Sequence, residues 1–201
     1  MYSDRIHHAL AFSAKHFPER VSRYDGQSGL IRTSSVALVL ARYGADESTI
    51  VAGILKQLVD ASPFQNQATL ARTIMGKFGP VVAFAVGEAA DPRFDVKGRE
   101  RTWKASRMEY LTRIIDGSEI AVDLCVAEEL HRVGSALTAV RRLGVEYLEG
   151  VGTTPTPGDT VWWLTSLLGA LRCHPSWRRA EMLSELDRLS TELALRVAEN
   201  D

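Results

Sequence analysis

The sequence has few cysteines, no long apolar run and no excess of charge of either sign. Cys125 and Cys173 are the two cysteines among 201 residues, and neither has a CxxC partner. They are predicted to be reduced thiols, as in a cytoplasmic protein, and not a zinc knuckle or a disulfide framework. No apolar stretch approaches the roughly 18 residues that cross a bilayer, so no membrane association is expected.

The charges are balanced, with 24 lysines and arginines against 25 acidic residues and a net charge of -1. A nucleic-acid-binding surface built on bulk positive charge is therefore excluded, and no nucleic-acid partner is expected. Three catalytic signatures are missing from the sequence: the Gly-x-Ser-x-Gly elbow, the Walker phosphate loop and the dinucleotide-binding glycine motif. The mixture of apolar and charged residues is that of a globular domain.

Helical periodicity runs through almost the whole chain, while strand patterns are scarce. The fold class is therefore predicted to be all-α, a bundle of about eight to nine helices. Asp4, Asp46 and Asp159 are each predicted to cap a helix, and Pro80 is predicted to open another. Turn-forming residues at 19–32 predict a loop, after which Ser34 or Ser35 caps the next helix. The predicted helices span residues 4–17, 34–44, 47–60, 67–78, 80–89, 99–116, 119–148, 160–173 and 177–198.

Several short motifs resemble, in order and spacing, those of the HD-domain hydrolases of the RelA/SpoT-homologue type. The family pattern contains a Lys-His pair, a Tyr-Ile-x-His-Pro segment, a helix with a His-Asp doublet, a Phe-Gly turn, a Thr-Asp pair and a Lys-Leu-Ala-Asp helix. The matching segments here are residues 15–16, 30–33, 54–61, 78–82, 90–91 and 126–132. The resemblance is to the small alarmone hydrolases and implies a helical HD domain.

The resemblance also suggests a division of the chain. Residues 1–148 would form a degenerate HD domain. The segment 149–158, rich in glycine, threonine and proline, is predicted to be a linker loop. Residues 159–201 are predicted to form a C-terminal helical pair that packs on the same domain.

In the family that the chain resembles, five residues hold a divalent metal, which activates water against the 3′-pyrophosphate of guanosine tetraphosphate. The first histidine is kept as His16. The second histidine aligns with Arg32, and the His-Asp doublet aligns with Lys56-Gln57. The last aspartate aligns with Glu128. Three of the five ligands are thus replaced.

The replacing side chains are poor metal ligands. An arginine is always protonated, and a lysine is a cation unless its pKa is greatly lowered. A glutamine offers only a weak carbonyl oxygen. Two further family positions align with Asp60 and Arg132. We therefore expect no metal and no other cofactor, and interpret these positions as a pseudo-active site that could bind an anion.

Two functions follow from these replacements. The favoured function is that of a catalytically inactive HD-fold pseudo-hydrolase, a regulatory or binding module that senses a nucleotide or alarmone or docks a protein. The alternative is a divergent metal-dependent phosphohydrolase of nucleotide polyphosphates. The Lys56-Gln57 pair in place of His-Asp favours the first.

Side-chain charge is expected to replace the charge of the metal. Lys56 is predicted to lie within salt-bridge distance of Asp60 or Glu128, with Arg32 nearby. Glu128 and Arg132 are also four residues apart on one helical face. Two versions stay open: a closed cluster of ion pairs, or a pocket in which Arg32 holds a phosphate.

Three further patterns allow both a structural and a binding interpretation. The basic run Arg99, Arg101, Lys104 and Arg107 predicts a solvated helix face, with the rim of an anion site as the alternative. An apolar stripe over 186–197 and the pair Trp162-Trp163 are predicted to pack on the same domain. A homodimer through either apolar surface is the alternative.

Overall fold

The computed structural model describes residues 3–17, 29–149 and 155–199. Within these ranges the chain forms ten helices, of which α8 is a single turn. They are α1 (Asp4–His16), α2 (Gly29–Arg42), α3 (Glu47–Ala61), α4 (Phe64–Phe78), α5 (Pro80–Ala89), α6 (Trp103–Ile115), α7 (Glu119–Leu143), α8 (Glu146–Glu149), α9 (Pro157–Arg172) and α10 (Ala180–Ala198). The described part contains no β-strand, only an isolated bridge between Phe94 and Glu100. The all-α prediction is confirmed.

Local sequence explains where several helices begin and end. The Asp46 side chain accepts a hydrogen bond from the Thr49 backbone N–H and caps α3, as predicted. Gly79 separates α4 from α5 at φ +89°, a conformation that suits glycine. Pro80 follows as the first residue of α5, also as predicted.

The predicted start of α2 is wrong. The helix begins at Gly29, so the predicted loop is helical over residues 29–32, and its earlier part, from 19 to 28, lies outside the described residues. The Thr33 hydroxyl donates to the Gly29 carbonyl at 2.9 Å, and both Thr33 and Val36 are buried. Packing against the bundle thus accounts for the buried residues near the start of α2.

Other predicted boundaries also shift by several residues. Helix α6 begins at Trp103 because Thr102 caps it, and α7 ends at Leu143 because Gly144 takes φ +85°. Helix α10 begins at Ala180, not near 177. The corrected ends of α6 and α7 thus lie at a capping residue and at a left-handed glycine.

Two predicted caps are replaced by neighbouring residues. Ser3, not Asp4, caps α1 by accepting a hydrogen bond from the Ile6 backbone N–H at 3.1 Å. Thr156 caps α9, and Asp159 forms the reciprocal half of a capping box. Ser3 and Thr156 both have the extended backbone of a capping residue, and their hydroxyls accept hydrogen bonds from the first turn of the helix.

Helix α3 lies at the centre of the bundle, where it contacts α1, α2, α5 and α7. Gly53 allows the close approach of two neighbours, since a Cβ there would lie 2.5 Å from Leu40 and 3.3 Å from Leu124. The helix is buried on all its faces from Val51 to Val59. Its polar residues in this span therefore lie in the interior.

The two C-terminal helices pack on the rest of the bundle, α9 on α6 and α10 on α7. The segment between them is fixed by Asp123 of α7, which accepts hydrogen bonds from Trp177 Nε1 at 2.7 Å and Arg179 Nη2 at 3.0 Å. The domain division stays a prediction, because residues 150–154 of the expected linker lie outside the described residues. Pro157, at the end of that linker, already belongs to α9.

The apolar surfaces considered for a dimer face the chain's own core. Leu186, Leu193 and Trp163 are fully buried, because α6, α7 and α9 cover them. They are therefore not the surface of a homodimer. None of the described helices combines the length and the apolar character that a bilayer-spanning segment needs.

Candidate functional site

The Lys56 ammonium lies between two carboxylates from different helices. It donates to Asp60 Oδ2, one turn further along α3, at 2.6 Å, and to Glu128 of α7. The Lys56 side chain is only 1% exposed, while those of Asp60 and Glu128 are 17% and 20% exposed. The predicted ion pair is confirmed, and Lys56 binds both carboxylates rather than one.

Asp60 also connects α3 to the segment that follows α5. The Asp91 backbone N–H donates to Asp60 Oδ1 at 2.9 Å, and Arg93 Nη1 donates to the Asp60 carbonyl at 2.9 Å. Both carboxylate oxygens of Asp60 are therefore engaged.

Arg107 of α6 is a second buried cation in this region. It pairs with the Asp91 carboxylate, which also accepts a hydrogen bond from Ser106 Oγ at 2.6 Å. The guanidinium carbon lies 5.6 Å from the Tyr110 ring centroid and 5.2 Å from that of Trp163. The predicted solvated face is thus wrong for Arg107, because this ion pair and these rings bury it.

Burial and the neighbouring charges of the cluster have opposite effects on the pKa values of its members. Burial alone would lower the pKa of Lys56, but the attraction of Asp60 and Glu128 outweighs it and holds that pKa above its ordinary value. Burial would raise the pKa of Glu128, yet the cations around it, Lys56 foremost, lower it to about 2. For Asp60, burial and the repulsion of Glu128 and Asp91 outweigh Lys56 and raise the pKa to about 6. The cluster therefore favours a charged Lys56 beside an ionised Glu128.

Arg32 of α2 lies close enough to Glu128 for its charge to help lower the pKa of that carboxyl. The Arg32 side chain is half-buried. It makes no hydrogen bond or ion pair with another residue in the described ranges. Within the described ranges it therefore interacts with the cluster through its charge alone.

Gln57 is a second polar group with unused hydrogen-bonding capacity. It is 3% exposed, and its Nε2 has no hydrogen-bond partner in the described part of the chain. It follows Gly53 by one turn of α3, on the face that approaches Val36 of α2 and Leu124 of α7. Since an unmet buried donor is costly, Gln57 is a candidate for contact with a bound acceptor.

Two predicted site residues form no bond with the cluster. His16 is exposed, and its ring lies against Phe12 with centroids 4.4 Å apart. Arg132 Nε donates to Glu129 Oε2 at 2.8 Å, so Arg132 pairs with Glu129 and not with Glu128, four positions before it. The physical reason is that Lys56 already binds Glu128, while Glu129 lies three residues before Arg132 on the same helical face.

Sequence reasoning missed the aromatic side of the site. Tyr110 is 1% exposed and donates from its hydroxyl to the Ala89 carbonyl at 2.8 Å. Cys125 lies nearby on α7, and burial raises the pKa of its thiol to about 12, so it is not a nucleophile. The spacing of Trp103, Arg107 and Tyr110 on one face of α6 was the sequence signal for this layer.

The donor set does not suit a divalent metal ion. In the described ranges, no group of three or more histidine, cysteine, aspartate or glutamate side chains is placed to hold one. Asp60 and Glu128 do come together, but the Lys56 ammonium already lies between them. A divalent cation there would meet Lys56 and Arg32, which cannot act as ligands while charged.

The helical bundle, with the cluster between α3 and α7, is similar to solved structures. The structure of a metazoan orthologue of SpoT, described as hydrolysing ppGpp and acting in starvation responses, matches with a TM-score of 0.71 and 17% identity. The match covers 97% of this chain and 98% of that one. The predicted relationship to SpoT-type hydrolases is confirmed at the level of the fold.

A crystal structure of a protein from Listeria monocytogenes EGD-e shares the same fold. It matches with a TM-score of 0.67 and 18% identity, over 82% of this chain and 99% of the other. No protein-family model matches the sequence, and a comparison with curated proteins likewise finds no match.

Proposed function

We propose that this chain is a non-hydrolytic HD-fold binding module that recognises an anionic ligand of the nucleotide polyphosphate class without a metal ion. The Lys56 ammonium between Asp60 and Glu128 carries the proposal. This cation belongs to the chain and cannot dissociate. A metal ion, by contrast, has open coordination positions at which water or substrate can bind. A lysine ammonium cannot lower the pKa of a bound water as a divalent ion does.

The free donors at the edge of the cluster support the ligand class. Arg32 carries a planar guanidinium with no partner in the described part of the chain, and this group suits the two-point binding of a phosphate. Gln57 Nε2 adds a neutral donor that is buried and unused. The structural neighbour that hydrolyses ppGpp supports a guanosine polyphosphate as the first ligand to test.

A thermal-shift titration with guanosine tetraphosphate in a chelator tests the binding. A ligand that prefers the folded chain stabilises it by about 2.7 kcal/mol at a hundredfold excess over Kd, and this raises the melting temperature. We expect the wild type to show this shift without a divalent ion. Arg32→Ala is expected to abolish it, and Gln57→Met to weaken it about tenfold.

The matched control is Arg188→Ala, which removes an exposed arginine of α10. It should leave the shift unchanged. The nucleotide should be recovered intact after incubation with manganese. Absence of a shift in the wild type, or a full shift in Arg32→Ala, would contradict the proposed binding site.

A further inference from the structure

Helix α5 is apolar except for Glu88 in its last turn, although only one side of it is buried. The inner side packs into the core through Val82, Ala85 and Val86. On the outer side, Val81 is 56% exposed and Phe84 is 67% exposed. A helix that is apolar on all sides is usually covered on all sides. The outer side of α5 is therefore the place to look for a contact outside the folded chain.

The neighbouring helix extends this apolar surface. Met75, near the end of α4, is 40% exposed. Gly76 and Gly87 have no atom within 4 Å of the point where a Cβ would lie, so a partner backbone could approach closely at either position. We call Met75, Val81, Phe84 and Gly87 the α5 face. No charged side chain belongs to it, which is typical of the centre of a protein interface.

Charges of opposite sign lie at the two ends of the α5 face. Lys77 is exposed in the last turn of α4, close to where α5 begins. Where α5 ends, Glu88 accepts a hydrogen bond from Ser118, the capping residue of α7. This bond brings Glu88 together with Glu119, the first residue of α7, so this end is acidic.

We propose that the α5 face binds a second copy of this chain about a twofold axis that passes near Phe84. A twofold axis sets the two α5 helices antiparallel, because each residue then meets its symmetry-related position. The basic end of one copy, at Lys77, then faces the acidic end of the other, at Glu88. The uncharged centres of the two copies face each other without repulsion. At each end of the interface a basic side chain faces an acidic one.

The size of the surface predicts a reversible dimer. The α5 face is small beside the roughly 800 Å² that each partner buries in a standard interface. The charged ends must therefore contribute, and exposed charge pairs weaken as salt screens them. We expect a dimer that forms with increasing protein concentration and weakens with salt.

Sedimentation velocity of the full chain over a wide concentration range tests this inference. Phe84→Glu places two like charges near the axis and should weaken dimerisation at least about tenfold. The matched control is Leu195→Glu, at a side chain that is 60% exposed on α10, and it should dimerise like the wild type. Circular dichroism will verify that both variants keep their helix content.

Charge reversal distinguishes a symmetric dimer from non-specific association. Lys77→Glu alone should weaken the dimer, and the double variant Lys77→Glu/Glu88→Lys should restore it, because both contacts across the axis are then reversed. A wild type that stays monomeric at all concentrations would overturn the inference. So would equal loss of dimer in Phe84→Glu and Leu195→Glu, or binding of the α5 face to lipid vesicles instead of a second copy. None of these outcomes bears on the nucleotide site, which uses other residues.

Discussion

Lys56 of α3 and Glu128 of α7 join the two helices through a buried ion pair, and Asp60 shares the same ammonium. Two carboxylates that would repel each other are thereby held together by a side chain of the same chain. Because Lys56 offsets their charge, the carboxylates can stay largely buried without a bound metal ion. A change to any one of its members should therefore affect both the stability and the titration of the others.

Lys56→Met should destabilise the chain by about 3–5 kcal/mol, because it leaves two carboxylates without their cation in a largely buried place. Chemical denaturation monitored by circular dichroism measures this loss. The double variant Lys56→Met/Glu128→Gln should recover part of it, since one stranded charge is then gone. Arg188→Ala, which breaks an exposed pair with Glu185, should cost less than about 1 kcal/mol. A loss for Lys56→Met as small as this control would show that the cluster is not buried in solution.

The two carboxyls of the cluster should titrate far apart. The pKa of Glu128 is lowered to about 2 from an ordinary 4.5, so its contribution to stability is complete above pH 4.5 and is lost as the pH falls through about 2. The pKa of Asp60 is raised to about 6 from 3.8, so its contribution is present below pH 3.8 and is lost as the pH rises through about 6. Carbon-13 NMR of the side-chain carboxyls measures both midpoints. In Lys56→Met both pKa values should rise, and a Glu128 midpoint at or above 4.5 in the wild type would refute this assignment.

Asp123→Ala should loosen the attachment of the C-terminal helices. The Asp123 carboxylate is 5% exposed and accepts from both Trp177 and Arg179, so its loss should cost about 1–3 kcal/mol. Hydrogen exchange should show faster exchange in the first turns of α10. The control is Arg141→Ala, which breaks an exposed pair with Glu192 between the same two helices. Equal effects of the two variants would contradict a special role for the buried contact.

The sequence was sufficient to predict the all-α class and the contact between Lys56 and Asp60. Asp46 caps α3, and the spacing from Lys56 to Asp60 is one helical turn, so this pair is a local consequence of the helix. The contact between Glu128 and Lys56 was predicted from the motif alignment. Local helical spacing could not predict it, because 72 residues separate the two side chains. Local pattern and resemblance therefore contributed different parts of the same cluster.

Packing determined the features that the sequence did not reveal. Helical spacing allowed Arg132 to pair with either of two glutamates, and the choice of Glu129 depends on the contact between Lys56 and Glu128. The burial of Arg107 depends on Trp163, which is 56 residues away and belongs to a different helix. A long-range contact of this kind leaves no periodic signal in a single sequence.

Introducing the metal ligands of the family that the sequence resembles should create a metal site. The triple variant Arg32→His/Lys56→His/Gln57→Asp replaces two cations and an amide by two imidazoles and a carboxylate. Glu128 still supplies a carboxylate. We expect this variant to bind manganese in a calorimetric titration, at neutral pH, where the imidazoles are largely unprotonated. A folded variant that binds no manganese would show that the aligned positions do not converge as the resemblance implies.

Metal content and nucleotide hydrolysis of the wild type test the central claim most directly. Protein purified without chelator should carry no stoichiometric manganese, iron or zinc by elemental analysis. Guanosine tetraphosphate incubated with it and manganese should remain intact. Bound metal at one equivalent, with steady pyrophosphate release that His16→Ala abolishes, would contradict the claim that Lys56 has replaced the metal.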